Sequence, residues 1–328
     1  MSASTKSDNQ TAAVTLEKAD RENFPVAPGF LPAAWRDDLM AVYGFARLID
    51  DAGDGDLADP AAVARLLDVA GDPADDGFRP ALLDGLERDL DRAFATALAD
   101  PGPGDTVPGA AVLGGTVLGT ASGEPRHPLM RALVPLIERH AVTPEPFRRL
   151  IEANRVDQTT TRYPEYADLL HYCTLSADPV GRLVLALAGR ATPERIELSD
   201  AICTALQIVE HLQDVAEDLG RGRIYLPQED LVAFGVTEDD LAAPTASRGV
   251  RQLVAWEASR ARTLLDRGAP LVGTVHGRLR LLLAGFTAGG YAALDAIAAA
   301  GYDVLAHQAK PDKRRLAIRA AALFAKGR

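Results

Sequence analysis

The amino-acid sequence predicts an all-α protein. Alanine and leucine dominate the 328 residues, and few β-branched or aromatic runs alternate with a period of two. The apolar residues recur at helical spacing instead. Three of the periodic segments also begin with a proline beside an acidic residue, as the first turns of helices often do. These helix starts are Pro144-Glu145, Pro164-Glu165 and Pro193-Glu194.

The helical periodicity divides the chain into ten predicted helices. They span residues 33–54, 60–70, 79–99, 127–140, 144–158, 165–189, 195–219, 247–268, 272–300 and 312–325. Residues 100–123 are rich in glycine and proline, which predicts a surface loop. Residues 1–22 are polar and charged, which predicts a disordered tail. No internal repeat or shift in composition marks a second domain, so we expect a single all-α domain over residues 23–325.

Composition and charge argue against several classes of protein. The formal net charge is −11, so the chain lacks the basic field that draws in nucleic acid. The only cysteines, Cys173 and Cys203, have no metal or redox spacing, as is usual in a reducing compartment. No segment has the pattern of a signal peptide, and glycines, Asp295 and Asp303 interrupt the apolar residues 284–306. We therefore expect a cytoplasmic protein.

A short acidic segment at the end of the first predicted helix is one candidate site. Offsets of four, three and four place on one helical face the residues Tyr43, Arg47, Asp50 and Asp54. Mg²⁺ commonly takes one or two carboxylates together with substrate phosphates, and an arginine can contact phosphate oxygens. The face therefore fits a phosphate and metal site. The alternative is a solvated helix on which Arg47 pairs with Asp50 or Asp51.

A second acidic segment lies in the predicted helix 195–219. Its stripe, at offsets of three, four and four, consists of Gln207, Glu210, Asp214 and Asp218. Stacked carboxylates repel by roughly a few tenths of a kcal/mol per pair, so such a stripe favours a cation. Arg221 and Arg223 follow in a loop, where they either close over a phosphate or neutralise the end of the helix. The composition alone predicts about six acidic pairs at this spacing, so the surrounding sequence has to decide.

The surrounding motifs resemble those of the squalene and phytoene synthase family, the head-to-head prenyl synthases. The resemblance runs from Glu22 to Lys313, apart from residues 100–123. The motifs are FARLIDDAGD (45–54), YCTLSADPVGRLVL (172–185), LSDAICTALQIVEHLQDVAEDLGRGRIYLP (198–227), FGV (234–236) and AGGYAALDAIAAAGYDVL (288–305). The resemblance implies an all-α isoprenoid-synthase fold, which is a helical bundle around a central cavity. It also implies Mg²⁺ held by two facing acidic helices and an isoprenoid diphosphate as the substrate.

The resemblance also assigns roles to individual positions. The implied metal ligands are Asp50, Asp54, Asp214 and Asp218. The positions that match the diphosphate end are Tyr43, Arg47, Gln207 and Tyr291. The positions that match a kinked helix beside the prenyl chain are Tyr172, Ser176, Ala177, Val180 and Gly181. Small residues such as Ala177 and Gly181 would leave room for a long chain. The rings of Tyr43, Tyr172 or Tyr291 would stabilise a carbocation.

Within the family, the N-terminal residues are most similar to the hydroxysqualene synthases of bacterial squalene and hopanoid pathways. The similar residues are Glu22-Asn23-Phe24-Pro25-Val26-Ala27 and Leu31-Pro32. This similarity implies conversion of presqualene diphosphate and water to hydroxysqualene and diphosphate, in company with other pathway enzymes. Other branches condense two prenyl diphosphates to presqualene diphosphate, squalene or phytoene. Non-catalytic relatives serve as assembly or scaffold proteins, but these tend to lose the aspartates that are all present here.

Two positions depart from the family pattern. Many relatives have asparagine where this chain has Glu210, and arginine where it has Gln213. Glu210 is our candidate for holding the attacking water, and the alternative is that it joins the metal ligands. Arg47 and Arg223 would assist in binding the diphosphate. No GxGxxG motif follows a predicted strand, which disfavours NADPH-dependent reduction.

Two further features have ordinary explanations. His211 flanks the second acidic stripe but lies off its face, so we expect it to pack rather than to bind. The C-terminal residues 310–328 contain seven basic residues and one acidic residue, interleaved with apolar ones. They predict either a terminal helix packed on the bundle or a peripheral contact with the inner face of the cell membrane.

Overall fold

The computed structural model describes residues 12–21, 26–99, 123–140, 142–306 and 310–326. In these ranges every regular element is helical, and the remaining pairing is one isolated bridge between Arg162 and Ile224. This confirms the predicted all-α class. The chain divides into two compact units, Met1–Gln158 and Thr159–Arg328. One domain over residues 23–325 and its central cavity therefore stay predictions.

The helices of the first unit are α1 (12–17), α2 (Ala33–Asp54), α3 (Pro60–Leu66), α4 (Phe78–Ala99), α5 (Pro128–Arg131), α6 (Val134–Arg139) and α7 (Pro144–Val156), with a 3₁₀ turn at Lys18–Arg21. Those of the second unit are α8 (Tyr166–Ser176), α9 (Asp178–Leu187), α10 (Pro193–Gln213), α11 (Val215–Gly220), α12 (Gln228–Phe234), α13 (Glu238–Leu241), α14 (Arg248–Gly268), α15 (Leu271–Thr274), α16 (Gly277–Ala299) and α17 (Lys313–Lys326).

Three phenylalanines lie at the centre of the first unit. The ring of Phe147 on α7 lies 5.1 Å from Phe45 on α2 and 5.8 Å from Phe94 on α4, in steep edge-to-face arrangements. All three side chains are buried. Such pairs add about 0.5–1.5 kcal/mol beyond the burial of their area. The contacts fix α2 against α4 and α7, and so hold the helix that carries the first acidic segment.

Helix α10 is the centre of the second unit and packs against α8, α9, α14 and α16. Its contact with α14 is close because Gly268 has no side chain. A Cβ at that position would lie 2.5 Å from Ile202 Cγ1 and 2.7 Å from the carbonyl oxygen of Leu198. Helix α16 is long and apolar enough, by length and composition alone, to cross a membrane. However, 67% of its apolar window is buried inside the protein, as in a core helix.

Three long predicted helices are interrupted. The segment 165–189 breaks at Ala177 (φ −114°), because Pro179 has no N–H and removes a hydrogen bond of the helical ladder. The segment 195–219 breaks at Asp214 (φ −108°, ψ 15°), where no proline or glycine marks the sequence. The segment 127–140 forms the separate helices α5 and α6. Similarly, α16 begins only at Gly277, whose φ is +62°.

The predicted N-terminal disorder is wrong for residues 12–21, which are helical. Ala12 and Thr15 are buried, and Lys18 Nζ lies 2.7 Å from Asp51 Oδ2. Ala13 and Val14 are exposed, so Ala12 and Thr15 form the buried side, and Leu16 lies beside Gly44 of α2. The polar composition of the segment concealed this packing. Residues 1–11, residue 22 and nearly all of the predicted loop at 100–123 lie outside the described residues.

A buried charge cluster joins α12 to α14. Arg260 donates to Asp230 Oδ2 at 2.6 Å and to Glu257 Oε1 at 3.0 Å, and its guanidinium lies 4.2 Å from the ring centre of Tyr166. Burial raises the pKa of Glu257 to about 8, the Arg260 charge opposes this shift, and the Asp230 carboxylate adds to it. The two carboxyl groups therefore share one cation and retain a proton near neutral pH.

This cluster predicts a pH-dependent effect of Glu257→Gln. The folded protein keeps the Glu257 proton up to pH 8, whereas the unfolded chain loses it near its ordinary value of 4.5. The cluster therefore loses stability as the pH rises between those values. An amide does not titrate, so the Tm of Glu257→Gln should rise relative to wild type between pH 5 and pH 8 and level off above. The exposed Glu197→Gln is the matched control, and a Tm difference independent of pH for Glu257→Gln contradicts the account.

Candidate functional site

The first acidic segment forms the C-terminal end of α2, and its central acid has a structural role. Asp51 is 3% exposed, accepts a hydrogen bond from Lys18 Nζ at 2.7 Å through Oδ2, and forms an ion pair with Arg47 Nε, which lies 3.0 Å from Oδ1. Arg47 thus pairs with Asp51, as the alternative interpretation of the sequence allowed. The cations around Asp51 compensate the buried charge. Asp50, one residue earlier, lies outside these two ion pairs.

Asp50 is held by a neutral donor. The Asn154 amide on α7 donates to Asp50 Oδ1 at 3.0 Å, and Asn154 is itself buried. The Asp50 side chain is accessible to solvent, yet desolvation by the surrounding protein raises its pKa to about 6. The Asn154 hydrogen bond and the Arg47 charge oppose this shift, whereas the neighbouring acids Asp54 and Asp51 add to it. Asp50 and Asp54 repel each other, and a bound cation would relieve this repulsion.

Helix α7 also fixes the backbone at this end of α2. A Cβ on Gly53 would lie 2.3 Å from Asn154 Oδ1, so the close approach of the two helices depends on glycine here. Gln158 Nε2 donates to the carbonyl of Gly53 at 3.0 Å. Neither Asn154 nor Gln158 was among the residues predicted from the sequence to belong to the site. Asn154 lies among apolar residues on one face of its helix, and a buried amide there needs a polar partner. This was the feature of the sequence that could have indicated its role.

The second acidic segment spans the break between α10 and α11. Asp214 occupies the break, but its N–H donates to the Glu210 carbonyl at 3.0 Å and its own carbonyl accepts from the Asp218 N–H at 2.8 Å. Helical spacing thus continues through the interruption, and the three acids still follow each other at one-turn intervals. The prediction of one continuous helix was wrong, although the order of the stripe is retained.

His211, which was predicted only to pack, contacts two of the predicted site residues. Its Nε2 lies 3.2 Å from Gln207 Nε2, and its Nδ1 lies 3.7 Å from Asp218 Oδ2. Because an amide nitrogen donates, Nε2 accepts, and the N–H at Nδ1 faces the Asp218 carboxylate. The imidazole therefore lies between Gln207, at hydrogen-bond distance, and the Asp218 carboxylate, at the longer distance of an ion pair.

An aromatic cluster holds the His211 ring. Tyr225 stacks on it with ring centres 3.7 Å apart and planes 13° apart, while Tyr172 lies 6.2 Å away. Tyr163 packs on both tyrosines at 5.5 Å. The structure thus brings Tyr172, Gln207 and Asp218 together around His211. Tyr163 and Tyr225, in the sequences RYP (162–164) and RIYLP (223–227), were not predicted to belong to the site.

The loop after α11 is anchored by backbone contacts. Gly222 ends the helix with φ +80°, and the N–H of Arg223 donates to the Asp218 carbonyl at 2.8 Å. Arg162 donates to the Gly222 carbonyl at 2.7 Å and makes two 2.8 Å bonds to Glu238. Arg221 pairs with Glu217 at 3.4 Å on the surface. The position of Arg223 is therefore fixed next to Asp218, whereas Arg221 compensates a neighbouring acid.

The break between α8 and α9 contains the residues that were predicted to line the prenyl chain. Ala177 is buried, Val180 is exposed, and the buried Ser176 Oγ has no hydrogen-bond partner among the described residues. A Cβ on Gly181 would lie 2.3 Å from Ser199 Oγ and 2.6 Å from Cys203 Sγ. Gly181 is therefore small because α9 packs closely on α10. This close packing is a structural reason for glycine at this position, and its place beside the prenyl chain stays a prediction.

Tyr291 occupies a different environment from the acidic stripe. Its hydroxyl donates to Asp266 Oδ1 at 2.6 Å, and the guanidinium groups of Arg319 and Arg262 lie 4.8 Å and 5.7 Å from its ring centre. Burial and the Asp266 carboxylate raise the pKa of its phenol. Arginines thus occupy the region of the ring that a carbocation was expected to face. Its assignment to the diphosphate end stays a prediction.

A sequence model of the squalene/phytoene synthase family matches residues 17–317. The chain belongs to this family. It is 30% identical to the hydroxysqualene synthase of Zymomonas mobilis over 280 residues, which cover 85% of this chain and 79% of the relative. It is 32% identical to the hydroxysqualene synthase of Rhodopseudomonas palustris over 255 residues, which cover 77% and 71%.

The solved squalene synthase HpnC from Alicyclobacillus acidocaldarius has a similar fold, with a TM-score of 0.68 and 39% identity. The structural match covers 90% of this chain and 96% of the HpnC chain. These similarities confirm the isoprenoid-synthase fold class predicted from the sequence. They also show that this squalene/phytoene synthase family member is an enzyme that processes prenyl diphosphates.

The carboxylates fit the hard cation that such an enzyme would use. Within the described residues, no group of three or more His, Cys, Asp or Glu side chains is arranged to hold a metal. Mg²⁺ requires less of the protein, because one or two carboxylates suffice when substrate phosphates complete the shell. Asp50 and Asp54 in the first unit, and Asp214 and Asp218 in the second, supply such pairs of oxygen donors. That the two pairs face each other stays a prediction.

The contact between Gly53 and Asn154 predicts non-additive effects on stability. Gly53→Ala should lower the free energy of unfolding by about 1–2 kcal/mol, because the added methyl displaces the Asn154 amide from Asp50. In Gly53→Ala/Asn154→Ala the methyl has space, so the combined cost should be smaller than the sum of the single costs. Urea unfolding measures all three variants, with Gly77→Ala, which meets no atom within 4 Å, as the control. Strictly additive losses in the free energy of unfolding would contradict this account of the α2–α7 contact.

Proposed function

We propose that this enzyme converts presqualene diphosphate and water to hydroxysqualene and diphosphate with the help of Mg²⁺. The observation that supports this most directly is the presence of all four aspartates on a chain whose relatives include two hydroxysqualene synthases at 30% and 32% identity. The non-catalytic alternative is less consistent with those aspartates. Condensation of two prenyl diphosphates, as in other branches of the family, is the alternative reaction.

The proposed binding of diphosphate uses four carboxylates and two arginines. When bound, Mg²⁺ would neutralise the charge that develops on the leaving diphosphate. Asp50 and Asp54 would hold one side of this metal cluster, and Asn154 would keep Asp50 in place. Asp218, which lies next to His211, would act on the other side. The neighbouring Asp214 and the arginines Arg47 and Arg223 complete the proposed binding set.

The proposed chemical step exchanges diphosphate for water. The C–O bond to diphosphate breaks and its electron pair leaves with the diphosphate. The oxygen of one water molecule then bonds to the cationic carbon, and that water loses a proton. Glu210 is accessible and lies one turn before Asp214, so it is our candidate for holding the water and accepting its proton. Tyr172, buried in the aromatic cluster, would present its ring to the cation.

The proposed reaction predicts one labelled alcohol. The enzyme is incubated with presqualene diphosphate and Mg²⁺ in ¹⁸O-water, without NADPH, and the products are analysed by mass spectrometry. We expect hydroxysqualene that carries one ¹⁸O atom, and a loss of roughly 100-fold or more in rate for Asp54→Asn or with a chelator. Glu210→Gln should slow alcohol formation more than it weakens binding of the substrate.

Parallel incubations distinguish the alternatives. Farnesyl diphosphate alone should give no product, whereas formation of presqualene diphosphate or phytoene from shorter prenyl diphosphates would overturn the assigned reaction. An unchanged rate and product for Glu210→Gln would remove Glu210 from the proposed step while leaving the reaction itself in place. Asp75→Asn, an exposed acid in a turn of the first unit, is the matched control for aspartate substitution.

A further inference from the structure

Helix α17 is attached to the protein by one face. Arg319 lies 3.1 Å from Asp295 and over the ring of Tyr291 on α16, and Arg280 of α16 lies 5.0 Å from the ring centre of Phe324. Arg280 also donates to the Phe324 carbonyl. None of the residues of α17 is buried, although one side of the helix is held in this way. The opposite side therefore remains available to a partner.

The outward side of α17 is cationic. We define the α17 basic patch as Lys310, Lys313, Arg314, Arg315 and Ile318. Its four cations are exposed, and none forms an ion pair with an acidic group of the described residues. Ile318 follows Arg314 by one turn and is 71% exposed. An apolar side chain next to several uncompensated cations is the composition of a helix that lies on an anionic interface.

The distribution of charge supports a function for this patch. The chain as a whole carries a net charge of −11, yet residues 310–328 contain seven basic residues and one acidic residue. The helix dipole disfavours cations in a first turn, and this first turn contains no acid beyond the Asp312 cap, which accepts from the N–H groups of Arg314 and Arg315. The charges of this first turn are thus unfavourable within the folded chain, and an anionic partner would compensate them.

We propose that the α17 basic patch docks the enzyme on an anionic lipid bilayer. A bilayer presents a plane of phosphate groups that one helix can touch, while the acidic remainder of the protein stays in solution. A nucleic acid would instead be repelled by the net negative charge of the rest of the protein, and it offers no apolar layer to Ile318. The enzyme acts on isoprenoid diphosphates, which are lipids with an anionic head group, so docking places it where such substrates reside. The proposal is independent of which reaction the enzyme performs.

Vesicle flotation with the full chain tests this docking. We expect wild-type protein to float with vesicles of phosphatidylcholine and phosphatidylglycerol at low salt, but not at high salt and not with phosphatidylcholine alone. Each basic residue near an anionic surface changes binding by about fivefold, so Arg314→Glu/Arg315→Glu should weaken the partition by about twenty-fold or more. Ile318→Ser should weaken it without any change of charge.

The matched control reverses two arginines elsewhere. Arg248 and Arg267 are exposed on α14, and Arg248→Glu/Arg267→Glu changes the net charge by the same amount as the patch variant. This control should float like wild type, and thermal melts establish that each variant is folded. Wild-type protein that stays in solution with anionic vesicles overturns the proposal. Equal loss in both double variants, or retention by nucleic acid in place of vesicles, does so as well.

Discussion

The candidate site depends on a difference between two kinds of acidic side chain: those whose charge is compensated by buried ion pairs and those left available for a ligand. Asp51 is buried and compensated by Lys18 and Arg47, so it stabilises the fold and has no charge left for a ligand. Asp50 instead accepts a hydrogen bond from the Asn154 amide, and Asp218 lies 3.7 Å from the His211 imidazole, so neither carboxylate is part of those two ion pairs of Lys18 and Arg47. Such outer partners commonly determine how well a carboxylate holds a metal. The packing of α7 on α2 places Asn154 beside Asp50, and the aromatic cluster holds the ring of His211 on α10.

Much of the fold was available from the sequence because helical periodicity is a local property. The helix at 33–54 was predicted with its observed ends, and its stripe of polar residues opposite Phe45 was sufficient to mark the first acidic segment. Breaks within helices were less accessible. Pro179 explains one of them, but nothing in the local sequence marks the break at Asp214. The helical residues 12–17 were missed for the same reason, since their burial depends on α2.

The proposed metal ligands of the candidate site could be predicted from the sequence, but the residues that contact those ligands could not. The four aspartates stand out by spacing and by family motifs, whereas Asn154 is 104 residues from Asp50 in the sequence, a long-range contact that periodicity cannot identify. His211 contacts Gln207 and Asp218 locally, but its contacts with the rings of Tyr172 and Tyr225 are not visible in the helical pattern. Gly181 shows the converse problem, because a small residue predicts space equally for a ligand and for a neighbouring helix. The distances to Ser199 and Cys203 show the neighbouring helix, and the place beside the prenyl chain stays a prediction.

The central claim is that these carboxylates bind diphosphate through Mg²⁺. Isothermal titration of inorganic diphosphate into the protein, with and without Mg²⁺, measures it directly. The account predicts binding only when Mg²⁺ is present, a large loss of affinity in Asp50→Asn and Asp218→Asn, and a smaller loss in His211→Phe, which keeps the stacking on Tyr225. Equal binding without Mg²⁺, or wild-type affinity in both aspartate variants, would contradict it.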